Sequence, residues 1–593
     1  MSSDERLLYD CQSPSVSPLE RSILESIDRN RIWESVETLS SLTRVSGTAE
    51  ERKAAAHIET VLEKHGVDHT RYEPELYLST PVTATVSSAD GSVLFSSAKT
   101  VAFSSDDTAS GEVLRLHADD EGDSVESLLN HSLHIDDVDV AGKVVVAESL
   151  IPIAEIRRLA ARGAAAFIAI HPHNDEPHEG IISPVWGGAP THDERDKIPE
   201  IVVANISASD GERLDTLLDD DESFSLTVST SVETGWNQCP LIEATIQGGQ
   251  DNDEFVILHG HYDSWHVGAT DNATGDASLL ESAIVLTEHA EQLSRSVRIC
   301  WWPGHSTGRY AGSTWYVDKF GHEINRNCVA HVNVDSPGVA DAVEFLSRVK
   351  WMTAAEPVAV GAIADVTGKQ TRTRRPSRAG DYSFNNIGVA GISLQSSIEQ
   401  SVRDERDYHL VGGSGGHADA WHLSTDTIDK ADPAVLERDT KVYTIATYRL
   451  AASTHCPLDY RLTIKEHRQT LDSLASGAEN LGLTSDFDRV AEAYRVLAHT
   501  VDRLYECDDH SFENLRPLAR LLTRINYATD GPFEQDPAVG RPPLPTLAPV
   551  SNPPHTDDDK RFLAQGVRRS CNKIVYEIRS VCSQLERIYA THE

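Results

Sequence analysis

Apolar residues recur at intervals of three and four near the start of the chain, which is the period of a helix with one buried face. This pattern covers residues 19–64 and predicts helices that are too short to stand as a domain of their own. Over residues 75–231 the pattern changes to short alternating runs broken by Asp, Gly and Ser, which predicts antiparallel strands. Residues 142–148 and 164–170 predict strands, with a short helix between them.

Strands and helices alternate over residues 241–452, which predicts a largely parallel sheet whose ligands collect at the C-terminal ends of its strands. Amphipathic helices follow and are interrupted by a Pro-rich connection at 532–554. The predicted fold class is α/β: a doubly wound, mostly parallel sheet with an inserted β-rich domain and a C-terminal helical domain. The expected divisions are N-terminal helices of the α/β domain at 1–74, the inserted domain at 75–235, the α/β domain at 236–455 and the helical domain at 456–593.

Acidic residues dominate the composition, with 93 Asp and Glu against 53 Lys and Arg, so the formal net charge is −40. A field of that sign repels nucleic acids and anionic membranes, which excludes both as general partners. Such a surface is typical of proteins that work in concentrated salt, where self-repulsion is screened. Neither a long apolar run nor a secretion-signal pattern is found, so we expect a soluble, halophilic, cytoplasmic protein.

Candidate metal ligands follow the predicted strand at residues 255–261. His261 ends this strand, Asp263 follows by two, and Asp271 directly precedes a predicted helix. Imidazole and carboxylate are the ligands of catalytic zinc, and the loop after a strand is where such a sheet exposes functional groups. A hydrogen-bonded pair that closes a loop would explain the His-x-Asp spacing equally well.

Three later segments add to this pattern, each at a predicted strand end or before a helix. They are Gly-His-Ser-Thr-Gly at 304–308, Val-Asp-Ser-Pro-Gly at 334–338 and His-Leu-Ser-Thr-Asp at 422–426. With the string HxDSWxxGAxDNAxG that starts at His261, they resemble the family 28 metallopeptidases, which include the co-catalytic zinc aminopeptidases, glutamate carboxypeptidase II and the transferrin receptor. The string looks most like the glutamate carboxypeptidase II branch.

The resemblance extends over nearly the whole chain. Residues 140–146, 160–166 and 198–206 are similar to parts of a protease-associated domain inserted into the peptidase. The helical C-terminus resembles the dimerisation domain of the same branch. The resemblance therefore implies a homodimer with an inserted protease-associated domain.

The resemblance also implies a role for each candidate ligand. His261 and Asp335 would bind one zinc ion, His422 would bind another, and Asp271 would bridge the two. Asp263 matches the acidic residue that supports the first histidine and fixes its tautomer. The peptide bond after Asp271 matches the position of a cis peptide in the family.

One segment departs from the family. Where the family reads Trp-x-Ala-Glu-Glu-x-Gly, residues 302–308 read Trp-Pro-Gly-His-Ser-Thr-Gly, so the glutamate base and the glutamate ligand are both missing. Two zinc ions with Asp271, Asp335 and one hydroxide would keep a net charge of +1, so we expect one or two zinc ions, the second bound more weakly. His305 would bind metal or take the proton of the attacking water. Alternatively, 304–308 is only a tight loop.

Candidate substrate-binding residues lie near a basic segment at 372–378, whose arginines would bind a substrate carboxylate bidentately. Its last residue, Arg378, is our candidate, and the alternative is a solvated loop. Asp381 and Tyr382 fall where the family has an Asp-His-x-x-Phe element lining the specificity pocket. Tyr382 replaces the histidine of that element.

Two further sets of residues have competing interpretations. Arg309 and Tyr310 follow the altered loop and would line the substrate pocket or pack a helix. His171, His173 and His178 lie in an acidic, Pro-containing segment of the inserted domain, and we expect them at the surface.

The favoured hypothesis is a metal-dependent hydrolase of peptide or related amide bonds, aminopeptidase- or dipeptidase-like, with zinc as cofactor and His305 in place of the usual base. The alternative is a non-catalytic binding or assembly protein, for which the transferrin receptor is the precedent. Retention of His261, Asp271, Asp335 and His422 favours the enzyme. The sequence does not distinguish hydrolysis of a non-peptide amide from this first hypothesis.

Overall fold

The computed structural model describes residues 16–116, 133, 135–221, 223–249, 253–399, 401–402, 420–506 and 510–590. Residues 1–15 of the predicted N-terminal segment lie outside the described residues. The N-terminal helices form as the apolar period predicts: α1 (Pro18–Ser26), α2 (Arg29–Leu39) and α3 (Ala49–Lys64). Ser17, Asp28 and Thr48 cap them by accepting hydrogen bonds from first-turn backbone N–H groups.

After β1 (His69–Tyr72), the chain enters a second structural unit, which we call the inserted module, residues 75–238. Its strands are β2 (Glu75–Ser88), β3 (Leu94–Phe95), β4 (Lys99–Thr100), β5 (Thr108–Leu116), β6 (Val144–Glu148), β7 (Ala166–Ile170), β8 (Val202–Ile206) and β9 (Ser225–Gln238). Its helices are α4 (Ile153–Ala161), α5 (His192–Arg195) and α6 (Ala208–Asp220).

The sheet of the inserted module has the strand order β3-β2-β9-β5-β6-β7-β8-β4. The expectation of antiparallel strands is wrong for half of it, because β5, β6, β7 and β8 pair in parallel. The physical reason is the connection between strands: α4 carries the chain back along the sheet between β6 and β7, which a tight hairpin cannot do. Apolar clusters cover both faces of this sheet.

The chain then forms the α/β domain. Its remaining strands are β10 (Leu241–Ile246), β11 (Phe255–His261), β12 (Ser296–Trp302), β13 (Cys328–Asn333), β14 (Lys350–Trp351) and β15 (Ala390–Ser393). Its helices are α7 (Thr274–Glu288), α8 (Ala311–Asn327), α9 (Glu356–Thr367) and α10 (Pro433–Ala452).

The strand order of this second sheet is β1-β10-β12-β11-β13-β15-β14. The four central strands are parallel, whereas β1, β10 and β14 pair antiparallel. The predicted mostly parallel sheet is therefore a mixed sheet with a parallel centre. Helical crossovers impose the parallel centre, and β1, which enters before the inserted module, pairs at the edge with β10, which leaves it. The C-terminal ends of β11, β12 and β13 meet at one edge, as predicted.

Four long helices complete the described chain: α11 (Tyr460–Asn480), α12 (Thr484–Glu506), α13 (Phe512–Tyr527) and α14 (Asp557–Ala590). The Pro-rich connection between the last two has no helix longer than a 3₁₀ turn at Ala548–Ser551, as predicted. One apolar cluster joins the N-terminal helices, the α/β sheet and these helices, with Ile32, Ile299 and Leu497 as members. Within the described ranges, no helix is both long and apolar enough to span a membrane.

Arg44 links the N-terminal helices to the loop after β11. Its side chain is fully buried, and its guanidinium donates to the backbone carbonyls of Leu39, Tyr262, Val267 and Gly268. A buried guanidinium with its donors satisfied is stable, whereas the same carbonyls without donors would be costly. Arg44 thereby sets the path of the segment that carries the candidate metal ligands.

Candidate metal centre

Three predicted ligands converge at the C-terminal edge of the parallel strands. Potential ligand atoms of His261, Asp271 and Asp335 all lie within 4.8 Å of one another. His261 Nε2 is 3.1 Å from Asp271 Oδ1. One imidazole and two carboxylates in this arrangement are a donor set that suits zinc.

His261 is held in an orientation suited to metal binding. Its Nδ1 lies 3.0 Å from the backbone oxygen of Asp263, which leaves Nε2 directed at Asp271. The Asp263 carboxylate serves another loop, accepting from the backbone N–H groups of His305 and Ser306 at 3.0 and 2.9 Å. Asp263 therefore supports His261 through its main chain and the altered loop through its side chain.

The charges at this cluster shift the pKa values in opposite directions. Burial would lower the pKa of His261, but the hydrogen bond to Asp271 and the nearby carboxylates raise it well above its usual range. Burial would raise the pKa of Asp271, but His261 holds it well below its usual range. The site therefore has a surplus of negative charge that a cation would neutralise.

Two residues that the sequence analysis did not single out hold the ligand loops together. The Asp426 carboxylate accepts from the backbone N–H of Asp271 at 3.0 Å and from the hydroxyl of Thr270 at 2.7 Å. Asn272 donates to the backbone oxygens of His261 and Val334, both at 3.0 Å. The bond between Asp271 and Asn272 is a cis peptide, as expected. Asn272 lies in the string that starts at His261, and Asp426 ends the segment at 422–426. Their positions close to candidate ligands were the signal that could have identified them.

His422 lies on the other side of Asp271. Its Nε2 is 3.5 Å from Asp271 Oδ2, and its Nδ1 is 3.3 Å from the backbone oxygen of Glu179 in the inserted module. Burial lowers the pKa of His422 to about 4, so its imidazole is neutral at pH 7. Asp271 is thus flanked by two imidazoles, as a bridging ligand would be.

His305 lies against the first cluster but is oriented by a different carboxylate. Its Nδ1 is 2.7 Å from Asp381 Oδ2, and the other oxygen of Asp381 accepts from Ser313 at 2.7 Å. The rings of His305 and His261 stack with centroids 3.7 Å apart and planes at 15°. The lone pairs of two stacked rings run side by side rather than converging on one point.

A pocket of about 200 Å³ opens over these groups and is lined by Asp271, Asp335, His305 and His422. The candidate residues Arg309, Tyr310, Arg378 and Tyr382 also line it. Asp381 is 1% exposed and lies behind His305.

The two arginines among these candidates are also engaged in structure. Arg309 donates to the backbone oxygens of Ser183 and Ile181, which joins the inserted module to the α/β domain. The Arg378 guanidinium lies 3.7 Å from the centre of the Trp186 ring, and burial lowers its pKa to about 10. Both interpretations that the sequence left open for Arg309, pocket lining and packing, thus have a geometric basis.

The pocket contains three further cations that the sequence analysis did not assign: Arg348, Lys350 and Arg374. Residues 350 and 374 are brought together by a β-bridge. Only Arg374 belongs to the basic segment noted in the sequence, and no local pattern places the others beside it.

The inserted module also contributes an unexpected histidine. His171 and His178 are each 6% exposed, so the expectation that they lie at the surface is wrong, whereas His173 is exposed as expected. His171 is buried because its Nδ1 accepts from the backbone N–H groups of His173 and Asn174. His178 is buried because the next residue pairs its main chain with His422 across the pocket.

Comparison with known proteins adds a family to this geometry. Residues 242–445 match the family model of peptidase family M28. The chain is 24% identical over 379 residues to a probable glutamate carboxypeptidase VP8 of Zea mays, covering 58% of this chain and 51% of that protein. It is 35% identical over 269 residues to aminopeptidase NAALADL1 of Mus musculus, covering 40% and 34%. The chain thus matches about half or less of the length of these curated relatives.

Solved structures show the same fold. An aminopeptidase from Aneurinibacillus sp. strain AM-1 superposes with a TM-score of 0.54 at 18% identity, covering 73% of this chain and 96% of that one. A zinc aminopeptidase from Bacillus subtilis gives a TM-score of 0.52 at 18% identity, covering 71% and 95%. At this identity the likeness concerns the fold alone.

Proposed function

Because this chain belongs to peptidase family M28 through residues 242–445, we propose that it is a zinc-dependent hydrolase of peptide or related amide bonds. The observation that carries the proposal is the cluster of His261, Asp271 and Asp335 at the base of a pocket. The donor set fits zinc, and its excess negative charge is the charge that a divalent cation offsets. When bound at such a site, zinc polarises a carbonyl group and activates water.

In this proposal His305 is the general base. Asp381 accepts from Nδ1–H, which fixes the tautomer and leaves Nε2 as the proton acceptor. Stacking of His305 on His261 argues against both rings binding one ion, because each ligating nitrogen directs its lone pair in the plane of its own ring. Of the two roles open from the sequence, metal ligand and base, the geometry favours the base.

Substrate recognition would use the cationic part of the pocket. Arg348, Lys350 and Arg374 line the same pocket as Asp335 in a protein whose net charge is −40, so this local surplus of positive charge favours a substrate that has a carboxylate. Tyr310 and Tyr382 would provide the neutral walls. This feature favours a dipeptidase- or carboxypeptidase-like substrate over one recognised only by its amino terminus.

The direct test measures metal content and hydrolysis on the same protein, purified in molar salt. Elemental analysis should find zinc in the wild type and little in His261→Ala, and a peptide panel should include substrates with free and with amidated C-termini. Zinc binding without hydrolysis of any peptide would favour the binding-protein alternative. Equal zinc in both proteins would refute the site.

Assembly and organisation complete the proposal. Phe562 and Tyr576 on α14 are 77% and 76% exposed, which supports a homodimer formed through the C-terminal helices. We also propose that the chain has the four-part division given above and that the inserted module is a protease-associated domain. We propose further that the protein functions in concentrated salt. Light scattering in molar salt should give twice the mass of the chain, and a monomer would contradict the dimer.

A further inference from the structure

A tryptophan of the inserted module is linked to the carboxylate that orients His305. Trp186 is 1% exposed, and its indole Nε1 donates to Ser383 Oγ at 2.8 Å. Ser383 Oγ lies 2.9 Å from Ser313 Oγ, and Ser313 in turn donates to Asp381 Oδ1 at 2.7 Å. The other oxygen of Asp381 lies 2.7 Å from His305 Nδ1. A continuous chain of four hydrogen bonds therefore joins the inserted module to His305.

The direction of this chain is fixed at both of its ends. An indole N–H can only donate a hydrogen bond, and an ionised carboxylate can only accept one. Because Ser383 accepts from Trp186, its own hydroxyl proton is available to Ser313. The Ser313 proton is then directed at Asp381. Both serines are fully buried, so each bond polarises the next without competition from bulk water.

The contact between the inserted module and the α/β domain is close at this point. The Trp186 ring packs on the Tyr310 ring with centroids 4.2 Å apart. The next residue, Gly187, donates from its backbone N–H to the Arg309 oxygen at 2.8 Å. Its φ is +83°, and a Cβ atom there would lie 2.6 Å from the Thr314 side chain, so only glycine fits. The position of the indole is therefore set by how the inserted module docks.

The acceptor of the indole N–H distinguishes this arrangement from simple packing. A buried indole needs an acceptor, and a backbone carbonyl would satisfy it and end the chain of hydrogen bonds there. The acceptor here is the hydroxyl of Ser383, which has a proton of its own to pass on. The hydrogen bond of Trp186 thus extends to the carboxylate of Asp381 through side chains alone.

We propose that Trp186 is a positioning residue for the base His305, so that the inserted module acts on catalysis. The effect passes through three side chains, which together with Trp186 we call the indole relay: Ser383, Ser313 and Asp381. The inference rests on the proposed function, in which His305 is the base. The relay holds Asp381 in one orientation, and Asp381 holds the imidazole so that Nε2 is directed at the attacking water. Without the relay, the ring spends less time in that orientation.

The first test measures kcat, KM and zinc content for relay variants. Ser313→Ala should lower kcat about tenfold, and Ser383→Ala and Trp186→Phe roughly threefold, because a displaced base loses part of its contribution of about 10²–10⁴-fold. KM and zinc content should not change. Trp186→Phe also alters packing, so Ser383→Ala, which keeps the indole, isolates the relay. Ser282→Ala is the matched control, since it removes an equally buried hydroxyl, paired with Thr444 outside the pocket, and should keep the wild-type kcat.

A double variant shows whether the effect passes through His305. If the relay acts on this base alone, Ser313→Ala should change kcat little in a His305→Gln background, although each single substitution lowers it. Losses that multiply in the double variant would overturn the proposal, and so would a wild-type kcat in both Ser313→Ala and Ser383→Ala. Thermal unfolding checks that each variant is folded.

A second readout does not require activity. The Nδ1–H proton of His305 should exchange slowly with water, because it is hydrogen-bonded to a buried carboxylate. Its NMR signal in protein labelled with ¹⁵N-histidine is identified by its loss in His305→Gln. We expect this signal to disappear in Ser313→Ala and Ser383→Ala and to remain in Ser282→Ala. An unchanged signal in all three would overturn the relay. If the wild type hydrolyses no peptide, the proposed function fails, and this signal still decides whether the relay orients His305.

Discussion

The two sides of Asp271 carry the same chemical pair, an imidazole beside a carboxylate, in opposite environments. On one side, His261 is 2% exposed and lies among Asp263, Asp271 and Asp335, which raise its pKa well above the usual range. On the other, the side chain of His422 is 19% exposed and packs against Trp421 with ring centroids 4.1 Å apart, and burial lowers its pKa to about 4.

The difference shows that ligand type alone does not define a metal position. Carboxylates around His261 supply the negative charge that holds a cation, whereas aromatic rings around His422 supply none. One side of Asp271 therefore has a convergent set of three donors, whereas the other offers His422 beside the shared carboxylate.

Asp271→Asn should have the largest effect, because Asp271 is common to both sides. The amide is isosteric but uncharged, so we expect loss of metal from both positions and a fall in kcat/KM of at least about 10⁴-fold. Elemental analysis and peptide hydrolysis measure this. Asp276→Asn is the matched control, since burial raises the pKa of Asp276 well above its usual range and the same isosteric change is made at a buried carboxyl outside the cluster. If Asp271→Asn retained two metal ions, Asp271 would not be a ligand on either side, and the contrast between the two sides would fail.

His305→Gln should have the next largest effect. It tests whether His305 is a metal ligand on either side of Asp271. If His305 is a base held by Asp381, its removal should lower kcat by about 10²–10⁴-fold, while KM and metal content change little. Ser306→Ala, the adjacent substitution, should be close to wild type. Loss of an ion from His305→Gln would instead identify His305 as a ligand.

Proton release on metal binding should separate the two sides further. Metal needs a neutral imidazole, and the nearby carboxylates raise the pKa of His261 well above its usual range, so binding at its side should release a proton. Its apparent affinity should therefore rise roughly tenfold per pH unit until the raised pKa is reached. His422, with a pKa of about 4, is already neutral and releases none. Calorimetry in two buffers of different protonation enthalpy measures this, and equal heats in both would contradict it.

Arg374→Ala should have the smallest effect, because it concerns the substrate rather than the metal. We expect KM for a substrate with a free carboxylate to rise about tenfold, as for loss of one charge-assisted hydrogen bond, with kcat unchanged. An amidated substrate should be unaffected. Arg372→Ala removes a guanidinium that does not line the pocket and is the control. An equal change for both substrates would exclude carboxylate recognition by Arg374.

Local pattern was enough to predict most elements near the metal cluster. The strand ending at His261 is continuous apolar sequence buried on both faces, and the helices after residue 457 have a regular apolar stripe, so both were predicted correctly. Ligands that follow strand ends also converge as expected, because parallel strands bring their C-terminal ends to one edge.

Contacts between distant segments could not be predicted in the same way. His178 and His422 are 244 positions apart, and the acidic, Pro-containing segment around His178 has the composition of a surface loop. Its burial depends on how the inserted module docks, which no local period encodes. The parallel strands β5 to β8 were missed for a related reason, since strand direction depends on the path of the connections rather than on the alternation within each strand.

Arg44 has a consequence for how this protein can be divided. The segment that matches the family begins at residue 242, yet the loop holding its first ligand is anchored by a guanidinium about 200 positions earlier. A fragment cut at the family boundary would leave the carbonyls of Tyr262, Val267 and Gly268 without these donors, at roughly 1–3 kcal/mol each. A recombinant fragment intended to bind metal should therefore begin before Arg44, and one that also keeps its Leu39 partner should include the end of α2.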